Sequence, residues 1–124
     1  MTEERQSLGK KGEDLAAAYL KKKQGYKILF RNYRCVFGEM DIIARDRDVL
    51  SFVEVKTRAT EQFGKPQESV NRRKQQQLSK VALHFINKHN AQNLKARFDV
   101  VAVYLLPGDE RMELIKDAFE LTFV

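Results

Sequence analysis

"GEMDIIARDRDVLSFVEVKTR", residues 38–58, decides the fold. It reads as two strands, 38–45 and 49–57, joined by the polar turn Asp46-Arg47-Asp48. Side chains alternate faces along a strand, so Phe52, Glu54 and Lys56 share one face and Val53 and Val55 the other. Glu39, Asp41 and Ile43 likewise share a face of the first strand. With Arg47 and Asp48 at the turn, facing residues have numbers summing to 95, which sets Asp41 opposite Glu54 and Glu39 opposite Lys56. Opposed side chains come within about 5 Å at Cβ, and like charges there cost up to about 1 kcal/mol. Desolvation raises that cost. A divalent cation between the two carboxylates removes it. Mg²⁺ (or Mn²⁺) is commonly held by one or two carboxylates together with waters and phosphate oxygens. Lys56 beside the pair would orient or help deprotonate an attacking water, or stabilise charge developing on a phosphate. Two acids and a lysine so placed point to metal-assisted phosphodiester hydrolysis. The competing explanation is a solvated hairpin face whose Glu–Lys pairs contribute a few tenths of a kcal/mol.

Working outward, residues 7–23 carry a helical stripe of Leu8, Leu15, Ala16, Tyr19 and Leu20, with Gly25 as a stop. Glu13 shares that stripe with Ala16 and Leu20. A helix packed over the hairpin would bring Glu13 to the site as a third acid; a favourable helix dipole explains it equally well. Strand composition covers 26–34. After the hairpin, Gly64 and Pro66 mark a loop. Residues 69–90 repeat apolar positions at Leu78, Val81, Ala82, Phe85 and Ile86, a second helix that Ser69 could cap. Residues 96–106 form an apolar, buried-type strand, 107–110 turn the chain, and 112–124 give a short final strand or strand pair. The order α-β-β-β-α-β-β predicts an α/β fold, a mixed sheet flanked by helices, in one domain spanning 1–124.

The 124 residues are 43% hydrophobic and 32% charged, as in a folded globular protein. Apolar runs fall well short of a membrane span, so no membrane partner is expected. The start lacks the apolar core of a signal peptide, and the lone Cys35 suits a reducing compartment; both imply a cytoplasmic protein. The net charge of +6 is unevenly spread. Residues 5–34 and 65–97 each carry +7, while 35–64 carry −2 and the remainder from 98 carries −4. Two basic segments around an acidic centre suit a polyanion with a cation at its middle.

The hairpin, with "GKKGEDLAAAYL" before it and "FGKPQESV" and "RFDVVAV" after it, resembles the YraN-like family of small bacterial proteins with an endonuclease-like fold. The likeness covers nearly the whole chain. That family belongs to the PD-(D/E)xK nuclease superfamily, with archaeal Holliday-junction resolvases and type II restriction enzymes. The resemblance implies a restriction-endonuclease-like α-β-β-β-α-β core acting on DNA, including branched or repair intermediates. It implies that Asp41 and Glu54 hold Mg²⁺ with the Val55 carbonyl, that Lys56 assists the water, and that Glu13 matches the extra helical glutamate of the resolvase branch. Met40 stands where the superfamily has its proline.

Phosphate contacts are expected from Lys10, Lys11, Arg58, Gln67 and, at a helix start that also attracts anions, Arg72, Arg73 and Lys74. "GKKG" at 9–12 matches the GxxG of KH domains in four residues only, and otherwise reads as a flexible lead-in to the first helix. Asp99 either faces the same pocket or pairs with Arg97. His84 and His89, five apart, read as structural, and Cys35 as buried filler. Tyr26, Tyr33 and Phe30 could stack on bases, with core packing the commoner use of Phe30. Symmetric cutting of two strands would favour a homodimer. The alternative function is a nucleic-acid-binding or complex-supporting module on the same fold that does not cleave; a third is an interaction protein with a merely charged surface hairpin.

Overall fold

A computed structural model describes residues 3–60 and 64–122. Its elements are α1 (Glu3–Lys22), β1 (Lys27–Cys35), β2 (Gly38–Asp46), β3 (Val49–Arg58), a 3₁₀ turn (Pro66–Ser69), α2 (Arg72–Lys88), β4 (Lys95–Leu106) and β5 (Asp109–Phe119). The element order and the mixed α/β sheet are those expected from the sequence. β1, β2 and β3 form an antiparallel meander. The connection through α2 sets β4 parallel to β3, and β5 returns antiparallel at the far edge. Residues 61–63 of the expected loop lie outside the described residues.

The sheet is covered on both faces, which is why its central strands read as apolar runs. On one face Leu50, Phe52, Phe98 and Val100 pack with Leu78, Val81, Ala82 and Phe85 of α2. On the other, Ile42, Ala44, Val53, Val101 and Val103 pack with Ala16 and Leu20 of α1. Among the described residues, no helix is long and apolar enough to cross a membrane.

Two helix starts differ from expectation. α1 begins by Glu3, so Gly9 and Gly12 lie inside a helix and not in a clamping loop. α2 begins after Asn71, whose extended backbone lets its Oδ1 accept the Lys74 N–H at 2.9 Å. Ser69 belongs to the preceding 3₁₀ turn, where its hydroxyl donates to Pro66 O at 2.5 Å.

The alternation of β2 also slips by one residue. Ile43 faces α2, yet Met40 packs in the same core instead of with Ile42. β1 slips in step: Arg31, paired with Ile42, reaches Asp14 of α1, whereas Tyr33, paired with Met40, packs toward α2. Between them Asn32 adopts φ 53, a left-handed conformation that asparagine tolerates. The slip turns Asp41 away from the face of Ile43 assigned by strict alternation and toward α1.

Gly12 fixes how closely α1 approaches. A glycine inside a helix costs about 1 kcal/mol relative to alanine, so its presence needs a reason. A Cβ there would lie 1.9 Å from Thr57 Oγ1 and 3.1 Å from Thr57 Cβ on β3. The contact holds neighbouring Glu13 beside the sheet. Gly12→Ala is expected to destabilise the chain by about 1–3 kcal/mol through overpacking, with part recovered in the Gly12→Ala/Thr57→Ala double variant. Urea midpoints measure both; an unchanged Gly12→Ala midpoint would contradict the packing.

Candidate active site

Asp41 stands where β2 and β3 cease to pair. The ladder runs from Asp46↔Val49 to Ile42↔Val53 in the expected register, with Arg47 taking φ 58 at the turn. It ends there, so Asp41–Glu54 and Glu39–Lys56 are not ladder pairs as the sequence suggested. The reason is local. Asp41 Oδ2 accepts the Val55 N–H at 2.8 Å, so a side chain takes the place of a backbone carbonyl. Glu39 instead accepts from Arg34 Nε at 3.0 Å.

The acids nevertheless converge. Glu54 rises from β3 on the α2 side and is 5% exposed. Its Oε2 is buried without a hydrogen-bond partner. Burial, followed by the hydrogen bond and charge of the adjoining Asp41 carboxylate, pushes the Glu54 carboxyl up to about 9. The positive charges of Lys74 and Lys56 oppose that rise. Lys74 Nζ lies 3.7 Å from Glu54 Oε2, an ion pair beyond hydrogen-bond length. Glu13, half-buried on α1, also adjoins Asp41; burial and then the Asp41 charge raise its carboxyl to about 7. The Asn32 amide, with its NH₂ turned toward the acids, donates to Glu39 Oε1 at 3.0 Å and Glu13 Oε1 at 3.3 Å.

On the α1 side Asp41 and Glu13 open into a cleft of about 900 Å³, while Glu54 stays buried behind Asp41 on the α2 side. Glu13, Glu39, Asp41 and Val55 line it, together with the cationic side chains of Arg5, Lys10, Arg31 and Arg34. A buried carboxylate oxygen left unsatisfied against a second carboxylate fits a divalent cation, and an all-oxygen donor set suits Mg²⁺ or Mn²⁺. Among the described residues, no group of three or more His, Cys, Asp or Glu side chains is arranged to hold a metal by itself. The donors to consider are therefore Asp41 and Glu54, with the Val55 carbonyl and the phosphate of a substrate.

The other expected residues scatter more widely. Lys10 pairs with Asp14 at 3.2 Å on the cleft side of α1. Lys11, Arg72 and Arg73 are exposed, the last two on the first turn of α2 beside Lys74. Arg58 ends β3 with its Nε buried and unpartnered. Gln67 lines a different groove, with Tyr104 and Glu113, and not the acid cleft. Asp99 lies outside the site: wholly buried, it accepts from Tyr26 (2.9 Å), Ser51 (2.5 Å), Arg97 (2.7 Å) and the Asp117 N–H (3.0 Å). Tyr26 is thereby committed to the interior. Tyr33 bonds His84 at 3.0 Å and His89 stacks on Phe85, so both histidines are structural as expected. Phe30 packs edge-on against Tyr33 and Phe85. Sequence reasoning missed Asn32, Arg31 and Arg34 of the cleft; strict alternation would set Arg31 on the opposite face from Asn32 and Arg34, so their spacing gave no signal.

The model of the family described as "Uncharacterised protein family UPF0102" matches residues 12–103, which contain all four proposed catalytic side chains. The chain is similar to a UPF0102 protein of Syntrophus aciditrophicus, 54% identical over 93% of this chain and 90% of the relative. It is also similar to UPF0102 proteins of Geobacter sulfurreducens, 50% identical over 94% and 91%, and Caldicellulosiruptor saccharolyticus, 46% identical over 93% and 98%.

Raised carboxyl groups make stability depend on pH with a definite sign. The folded chain holds protons on Glu13 and Glu54 that the unfolded chain releases near pH 4.5. Their contribution is complete below that pH and is lost as the pH rises through 7 and 9. In chelator, Tm is expected to fall over this range. Glu54→Gln should raise Tm at pH 8 by about 5 °C or more and flatten the fall. Thermal melts across pH decide this; equal slopes in both proteins would contradict the assignment.

Proposed function

The chain belongs to the UPF0102, or YraN-like, family, and from that membership and the cleft's geometry we propose that it is a metal-dependent nuclease acting on DNA. The observation that carries the proposal is Asp41, locked by the Val55 N–H at 2.8 Å, set against a Glu54 whose buried Oε2 lacks a hydrogen-bond partner. The α-β-β-β-α-β order agrees with the endonuclease-like core implied by the resemblance. Asp41, Glu54 and the Val55 carbonyl would hold Mg²⁺ or Mn²⁺, which when bound neutralises phosphate charge and makes water more acidic. Lys56, on Glu54's face of β3, orients the water and stabilises charge developing on the phosphoryl oxygens. Glu13, titrating near 7, can take up a proton next to Asp41. Lys10, Lys11, Arg58, Arg72 and Arg73 supply sequence-independent phosphate contacts, and Arg31 and Arg34 add to them at the cleft.

A second function, a non-cleaving nucleic-acid-binding module, has an observation of its own in favour. Lys74 Nζ at 3.7 Å already gives Glu54 a cationic neighbour. A lysine serving as permanent counter-charge would leave the cleft a binding surface.

The two separate in a cleavage assay on branched, single-stranded and duplex DNA with Mg²⁺, Mn²⁺ or EDTA. The nuclease reading expects metal-dependent cutting that falls about 100-fold or more in a folded Lys56→Ala variant. Tight binding with no cutting of any substrate would overturn it in favour of the binding module.

A further inference from the structure

The β1–β2 turn holds two apolar side chains in solvent: Val36 is 88% exposed and Phe37 44%. Turns of this length ordinarily carry polar residues or glycine, and neither side chain belongs to either core. Phe37 forms one wall of a groove of about 650 Å³ completed by Lys80, Leu83, His84, Asn87 and Lys88 of α2. Leu83, opposite, is 43% exposed. The Phe37 and His84 rings meet edge to face at 6.3 Å, and Tyr33 holds His84 in place at 3.0 Å. The groove therefore has a fixed aromatic wall, an aliphatic wall and two lysines, and its lining includes no carboxylate.

That combination selects one kind of occupant. An apolar protein segment would match the walls but not the uncompensated lysines. A nucleobase matches both, being a flat aromatic ring attached to a polyanion, and the volume suffices for one. The groove lies on the α2 side and the cleft on the α1 side of the sheet, and the hairpin runs between them at its edge: Arg34 and Glu39, paired at its base, line the acid cleft. They lie two or three residues from Phe37, roughly 7–10 Å along a strand, or about two or three nucleotides of one nucleic-acid strand.

We propose that this groove receives an unpaired base of the nucleic acid that enters the acid cleft. The base stacks on Phe37 opposite Leu83, and Lys80 and Lys88 take the adjoining phosphates. The proposal rests on the nucleic-acid reading of the cleft and adds to it a recognition element, a seat for one unpaired base. An intact duplex keeps its bases stacked on one another and offers none without extrusion.

The test is binding in EDTA, where no cutting occurs, to forked DNA with 2-aminopurine at an unpaired position and to a plain duplex of equal length. The native chain should bind the fork more tightly and change the 2-aminopurine emission. Phe37→Ser should weaken fork binding about tenfold or more, lose the emission change and leave duplex binding as it was, while Phe37→Tyr restores both. Equal affinity for fork and duplex, or an unaltered Phe37→Ser, would overturn the proposal. So would a native dimer that Phe37→Ser dissociates in sedimentation without altering fork affinity, which would make the turn a self-association surface. Fork binding that needs Phe37 without any nuclease activity keeps the base groove and removes the nuclease. Cutting indifferent to Phe37 does the reverse.

Discussion

One hydrogen bond, from the Val55 N–H to Asp41 Oδ2 at 2.8 Å, governs the arrangement of the acids. In an uninterrupted ladder that N–H would point at a backbone carbonyl, and Asp41 would alternate onto the face of Ile43. The side chain captures the donor instead, the ladder ends at Ile42↔Val53, and the Asp41 carboxylate is left among Glu54, Glu13 and the cleft. Asn32 makes this feasible from the other side: its left-handed backbone lets β1 slip in step, so both strands keep an apolar residue in each core.

Two acids in the same sheet show what separates a carboxylate surrounded by donors from one set against another acid. Asp99 and Glu54 are both buried on central strands. Asp99 is surrounded by donors, with the Arg97 guanidinium bonded to it at 2.7 Å and to Asp46 at 2.9 Å. Its charge is paired, as a buried charge must be. Glu54 has another carboxylate for a neighbour and a lysine out of hydrogen-bond range. Folding by itself gives no reason for that choice; the binding of a cation, as proposed, would supply one. The basic residues of α1, β1 and the start of α2 surround this acidic centre, the order of charges the sequence carried along its length.

The hairpin, its register as far as Ile42, the element order and the buried character of β4 could be read from the sequence because each rests on periodicity or composition. Asp41 and Glu54 are not the facing ladder pair that the sequence predicts, and a helix dipole explains Glu13 equally well at that level; the Asp41–Val55 hydrogen bond and the packing of α1 bring them together instead. The phase slip could not be read, because it depends on a single backbone dihedral at Asn32 that no pattern announces. Lys74 was expected as a phosphate contact at a helix start; only packing of α2 over the sheet brings it to Glu54. Gly12 looked like half of a flexible loop motif, and proves to be the close contact that seats α1 on Thr57. Ser69 was the expected cap, but the 3₁₀ turn takes it up and Asn71 caps α2 instead.

The central claim is that the Asp41–Glu54 pair is built to exchange protons for a divalent cation. Calorimetric titration of Mn²⁺ into metal-free protein at pH 7.5, repeated in buffers of differing ionisation enthalpy, measures both the binding and the protons released. The account predicts about one ion per chain with release of roughly one proton, both lost in Asp41→Asn. Absence of binding, or binding with no proton released, would contradict it.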